Sequence, residues 1–362
     1  MKQYLLAAAS VLVLTAHAQK TDKTKIKYEI DMYPLETISK DKVVDINVKF
    51  DYADKVEAAN AEIAAKQDQA AKEKAEYDKK GMGQKFLEKK VLGETKPTGV
   101  YINNDFIPTL FPVADVESLL NIPGFTKKDG AACNITASFA ELSYTINAAR
   151  TAVTYVPLKV TLSVVNDKGA NVFQGDVPNN STAITYTPTG SSNLGAGVAQ
   201  TLKSIEMKAK DAAIANTNAF LKTNYGFNLV KDDCPFFDVK DKKQTYPEYH
   251  EAITKLETAF VSVNVSERQE KFVASLRECI AAWEGALKQL DKNDKAARIN
   301  KDIAAATTLN LALAYTWIKE FDKAYDYLAE HKTLDEDYSR AYDDISKFLK
   351  DYSTRYNKYS KY

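Results

Sequence analysis

The chain has 362 residues, and its 49 lysines and arginines balance 49 aspartates and glutamates, so the formal net charge is zero. A nucleic-acid binder needs clustered phosphate-neutralising cations and is usually net basic, so equal and interspersed charges argue against that class. Three cysteines, none in a CxxC pair, and three histidines at no metal-ligand spacing predict neither a metal site nor a cofactor.

Residues 1–18 read as a signal peptide. Lys2 gives the positive start, Leu5 to Leu14 the apolar core, and Ala16-His17-Ala18 the small-x-small pattern before Gln19. No later stretch approaches the roughly 20 consecutive apolar residues of a membrane-spanning helix. An exported chain of bacterial type is expected, held in the periplasm and associated with the outer membrane. Disulfides can form there. Cys279 falls on an apolar helical stripe, which leaves Cys133 and Cys234 as the one sensible pair.

Residues 19–188 predict a β-rich domain, an antiparallel β-sandwich-like sheet. Ile26, Tyr28, Ile30 and Met32 alternate with polar residues, and Val44, Ile46, Val48 and Phe50 repeat the pattern. Between these strands and the next, residues 53–90 are rich in alanine, lysine and glutamate and poor in large apolar residues. They predict a solvated helical insertion hinged at Gly81-Met82-Gly83, either a polar insertion or a partner-docking arm. A short helix is expected at Asp115 to Leu120, strand from Ile135 to Ile146 with a slip at Ala140-Glu141, and the longest strand over Val156 to Val164. Asn166-Asp167-Lys168-Gly169 then turns the chain so that Val172-Phe173 pairs back.

Residues 189–200, within a run of Asn, Ser, Thr, Pro and Gly, predict a linker, and 201–362 an all-α domain. A helix is expected from Leu202 to Thr223 and a loop at Asp232-Asp233-Cys234-Pro235. Phe272, Leu276, Cys279, Ile280, Trp283, Leu287 and Leu290 mark one face of a long helix. The clearest signal is an αα-hairpin over 296–331, with Ile299, Ile303, Leu309, Leu313 and Trp317 before the break at Lys319-Glu320 and Phe321, Ala324, Tyr325 and Leu328 after it. Tyr338 to Tyr359 then recur every three or four residues, as a closing cap or as an aromatic surface.

At the hairpin, Leu311, Ala312, Tyr315, Ala324 and Leu328 fall in the register of W-x2-L-G-x2-Y followed by A-x3-F. This segment resembles the tetratricopeptide repeat. The resemblance implies protein or peptide binding, and it places Leu313 and Trp317 near the groove that takes a partner.

The chain carries no HExxH, no GxSxG elbow and no GxxxxGK[ST] loop, and no catalytic residue is assigned. A spatial pair of acids, as glycosidases use, leaves no linear trace. The expected function is therefore that of a non-enzymatic protein-binding or scaffold protein of the cell envelope, fitting an accessory or plug-like subunit of an outer-membrane export or assembly machine. Its partner would be another envelope protein or a peptide. The alternative is an exported protein that binds or cleaves glycans.

Overall fold

The computed structural model describes residues 21–90, 95–179, 182–188, 194, 197–242, 244–261, 268–335 and 340–362. The expected signal peptide and part of the expected linker lie outside them. The protein is mixed α+β and divides into two compact units, Glu36–Gly226 and Met1–Leu35 with Phe227–Tyr362. This division differs from the expected parting at 189–200. The first strand, β1 (Thr21–Met32), pairs along its whole length with β10 (Asn228–Val239), which draws the start of the chain into the helical unit. Among the described residues no helix is long and apolar enough to cross a membrane.

In the unit Glu36–Gly226, β2 (Val43–Phe50) lies between β3 (Thr126–Lys127) and β4 (Asn134–Phe139) and runs parallel to both. The sheet continues antiparallel through β7 (Val160–Val165) and β8 (Asn171–Asp176). An antiparallel pairing of the first two strands is thus replaced by two separate pairings. A parallel pair needs a long crossover, and the insertion between β2 and β4 supplies one. The expected strand over Val156 to Val164 breaks at Pro157, which cannot donate to a ladder. Before the break, β6 (Val153–Tyr155) joins β5 (Tyr144–Ile146) and β9 (Ile184–Tyr186) in a separate three-stranded sheet. The turn at Asn166 forms as expected. Its side-chain carbonyl accepts from the Lys168 and Ala170 N–H groups, and Phe173 pairs with Val164.

The insertion forms α1 (Ala53–Lys79), in which Val56 is the one buried residue, and α2 (Met82–Lys90), which buries none. Short α3 (Val113–Leu119) follows, and α4 (Val198–Tyr225) covers the same core as the sheets, with Leu202, Ile205, Ala209, Ala213 and Leu221 facing it. The helix expected near Leu202 therefore belongs to the β-rich unit. Glu206, on the buried face of α4, is fully excluded from solvent and receives the Thr109 N–H on both carboxylate oxygens at 2.9 and 3.0 Å. Burial raises its pKa above the ordinary 4.5, more than the Thr109 bond lowers it. A raised carboxylate pKa means that the folded state holds the proton more tightly than the unfolded one. Stability is then lost as pH rises from the unfolded value through the folded one. Glu206→Gln should therefore gain stability relative to wild type as pH is raised from 4 to 8, measured as melting temperature across that range.

The helical unit comprises the β1–β10 ribbon, α5 (Pro247–Phe260), α6 (Gln269–Leu287), α7 (Lys301–Trp317), α8 (Phe321–Leu334) and α9 (Arg340–Lys361). The residues expected in a loop at Asp232 to Pro235 are strand. A two-stranded ribbon leaves each strand one unpaired edge, where the missing N–H of Pro235 is tolerated. The αα-hairpin forms as α7 and α8. Asn300 caps α7 by accepting the Ile303 N–H at 3.0 Å. The helix closes with Lys319 in the left-handed region at φ 65°, the Glu320 N–H bonding the Tyr315 carbonyl and the Lys319 N–H that of Thr316.

Every residue of α7 from Ile303 to Trp317 is buried. A helix buried on all sides must satisfy its polar side chains internally. Thr307, Thr308 and Thr316 do so by donating to the carbonyls of Ile303, Ala305 and Ala312, each at 2.7 Å. Asn310 does so across elements: its amide oxygen accepts the Phe237 N–H and its amide nitrogen donates to the Phe237 carbonyl, both at 2.8 Å. The side chain thereby acts as a strand neighbour to the open edge of β10. On another side of the hairpin, Glu284 of α6 accepts the hydroxyls of Tyr315 and Tyr327, whose rings stack at 5.7 Å.

All three cysteines are free and buried, so the expected Cys133–Cys234 bond is absent; the two lie in different units. Cys279 is buried on α6 as expected, with its thiol 3.5 Å from the Ala252 carbonyl. Replacing Asn310 with leucine keeps the branched outline of the side chain but strands both polar groups of Phe237, each worth about 1–3 kcal/mol. Urea unfolding should show a loss of at least about 2 kcal/mol.

Candidate functional site

The helical unit carries a cleft of about 720 Å³ between the β1–β10 ribbon and α9. Alternation along β1 turns Ile26, Tyr28, Ile30 and Met32 inward and sends Lys27, Glu29 and Asp31 between them to the wet face. Tyr28 and Cys234 from the ribbon, Leu313 from α7, and Ile345 and Phe348 from α9 form the apolar floor. The rim is charged in both signs: Lys23, Lys25, Arg340 and Lys347 against Asp232, Asp233, Asp344 and Asp351. Arg340, Asp344, Lys347 and Asp351 follow one another at helical spacings of four, three and four, which keeps all four on one face of α9.

Within this rim Lys25 and Asp233 pair across the strands at 2.8 Å. The bond and charge of Asp233 hold the Lys25 ammonium above its usual pKa, with Arg340 opposing. Burial keeps the Tyr28 phenol above its ordinary range, and the neighbouring thiol and carboxylates of Cys234, Asp232 and Asp233 add to the effect. Burial also lifts the Cys234 thiol well above its usual value; the Trp317 indole faces it and opposes this, although its N–H finds no acceptor at hydrogen-bond range. A thiol held un-ionised at neutral pH is a poor nucleophile. The cleft thus combines an apolar floor with charges of both signs above it.

Of the two expected partner-binding residues, Leu313 lines the cleft and Trp317 does not. Trp317 lies one layer beneath, its ring 4.9 Å from Tyr28, 5.0 Å from Phe260 and 5.4 Å from Phe348. Both side chains are buried, Leu313 at 1% and Trp317 at 3% exposure, so what separates them is position: Leu313 borders the cleft, and Trp317 supports two floor residues, Tyr28 and Phe348, from below. Sequence reasoning missed the rest of the cleft. The charged stripe of α9 was readable as a spacing, but the aromatic period of that helix drew attention to its other face, which turns inward: Tyr342, Ile345, Leu349 and Tyr352 are buried. The ribbon side could not be found without knowing that β1 pairs with β10.

His250 and His331 do no cleft chemistry. His250 bridges Asp238 at 2.8 Å and Asp241 at 3.1 Å, which raises its pKa, the Asp238 bond most. His331 is buried with Nδ1 2.9 Å from the Ala305 carbonyl and its ring stacked on Tyr342. Among the described residues no group of three or more potential ligands could hold a metal ion.

Trp317→Ala empties the layer under the cleft and should cost about 3–5 kcal/mol, the range for large aromatic truncations in a core, read by chemical denaturation. Comparison of the chain with family models, curated proteins and solved structures finds no match to any of them.

Proposed function

We propose that this chain is an exported, non-enzymatic protein-binding or scaffold protein of the bacterial cell envelope, periplasmic and associated with the outer membrane, which holds an extended segment of another envelope protein in the cleft between the β1–β10 ribbon and α9. The observation that carries this reading is the combination of an apolar floor, Tyr28, Leu313 and Phe348, with a rim of four basic and four acidic side chains. A rim of one sign would suit a phosphate or a simple anion. A rim of both signs suits a polypeptide, whose own charges alternate and whose apolar side chains fill the floor. The resemblance of the α7–α8 hairpin to tetratricopeptide repeats points to the same class of partner, and the setting we propose for the chain is an accessory or plug-like subunit of an export or assembly machine.

The cleft is testable through its exposed rim, where substitutions leave the core alone. Full-length protein purified by affinity from the native envelope should bring down a stoichiometric protein partner. Arg340→Glu with Lys347→Glu should weaken that capture about tenfold or more, equivalent to about 1.4 kcal/mol, at unchanged melting temperature. Capture unaffected by the reversal, or retention on envelope polysaccharide in place of a protein, would overturn the reading, the second outcome in favour of a glycan ligand.

A further inference from the structure

The helical arm of the Glu36–Gly226 unit ends in a surface that the cleft does not explain. Helix α1 has 27 residues, about 40 Å at 1.5 Å per residue. Its links to the rest of the unit run from its start to Lys74: Val56 in the core, Lys55 paired with Glu141, Gln67 bonded to the Gly99 carbonyl and the Tyr101 N–H, and Gly99 close against the Lys74 side chain. At the far end the chain turns at Gly81 into α2, with Glu88 paired to Lys80, and with Lys85 over the Tyr77 ring and bonded to the Asp78 carbonyl.

These bonds fix which side of α2 faces outward. Glu88 is the one acid among residues 79–90, against lysines at 79, 80, 85, 89 and 90. It points back toward α1, its side chain 13% exposed. Asp78, the nearest acid of α1, is met by Lys74 at 3.9 Å. What remains outward is cationic and apolar together. Met82 is 90% exposed, Phe86 63% and Leu87 52%, and Lys79, Lys89 and Lys90 stand exposed around them.

We infer that the tip of this arm docks on an anionic lipid surface, with Met82, Phe86 and Leu87 entering the headgroup boundary and the lysines meeting lipid phosphates. Charge complementarity selects this occupant. A second copy of the same tip would bring like charges together, and a neutral surface would leave the lysines unpartnered. The surface is also convex: three apolar side chains on a helical tip have no groove to share, and they bury best in a medium that closes around each of them. Short lysine-rich amphipathic segments bind anionic bilayers in this way, the apolar face sinking to the acyl boundary while lysines snorkel to the phosphates. Such binding weakens with salt, because the phosphate attraction is screened within a Debye length.

Sedimentation of the full chain with vesicles tests this directly. Vesicles containing phosphatidylglycerol should carry the protein down, and pure phosphatidylcholine vesicles should not. Phe86→Ser with Leu87→Ser, and separately Lys89→Glu with Lys90→Glu, should each lower binding roughly tenfold or more without changing the melting temperature, since these side chains touch no core. Absence of binding, equal binding to both vesicle types, or variants that bind like wild type would overturn the inference. The rim residues of the cleft take no part, so failure here leaves the protein-binding proposal to its own test.

Discussion

The helical unit depends on one side-chain amide. With every face of α7 buried, the helix has no wet side on which to place a polar residue, yet it must lie against a strand edge whose backbone groups need partners. Asn310 meets both demands, offering a donor and an acceptor to Phe237 in the geometry that a third strand would have supplied. The ribbon is thereby held at a fixed position along α7, and the position decides what lies beside what. Tyr28 falls over Trp317, and Leu313 lies buried at the base of the cleft between the ribbon and α9. An apolar residue at Asn310 would pack as well but would set no register, which is the distinction between filling a core and specifying one.

The two units solve the problem of polar burial differently. Glu206 carries a carboxylate into the core of the β-rich unit to hold the Thr109 backbone, and bears the desolvation cost of an acid there. The helical unit uses neutral amides, hydroxyls and stacked phenols, with its acids kept where tyrosine hydroxyls or arginines reach them, as Glu284 and Glu320 show. The arm does neither, since it buries almost nothing and its lysines remain hydrated.

What the sequence conveyed followed from what is local. The αα-hairpin, the Gly81 hinge, the turn at Asn166 and the inward stripe of β1 are all written in spacings of two to four residues, and they appear where the spacings put them. Pairing is not local. The period of two in β1 tells which side is apolar but not whether the neighbour is β2, eleven residues on, or β10, two hundred residues on. The aspartates and proline at 232–235 have the composition of a turn, and a ribbon with an open edge accepts them as strand. Leu313 and Trp317 stand one helical turn apart on one stripe, and no periodicity separates the residue that reaches the cleft from the residue beneath it. That difference is set by Tyr28 and Phe348, which come from opposite ends of the chain.

The pairing of β1 with β10 also imposes an order on synthesis. The strand that a ribosome makes early cannot find its partner until Asn228 to Val239 have emerged, about 10–40 s later at ordinary elongation rates, whereas Glu36–Gly226 is contiguous and can complete itself in the interval. Throughout that wait Ile26, Tyr28, Ile30 and Met32 present an apolar stripe with no surface to cover it. A nascent chain in this condition is a natural client for a holding chaperone, and a message broken after Gly226 would yield a finished β-rich unit trailing an orphan strand that invites aggregation.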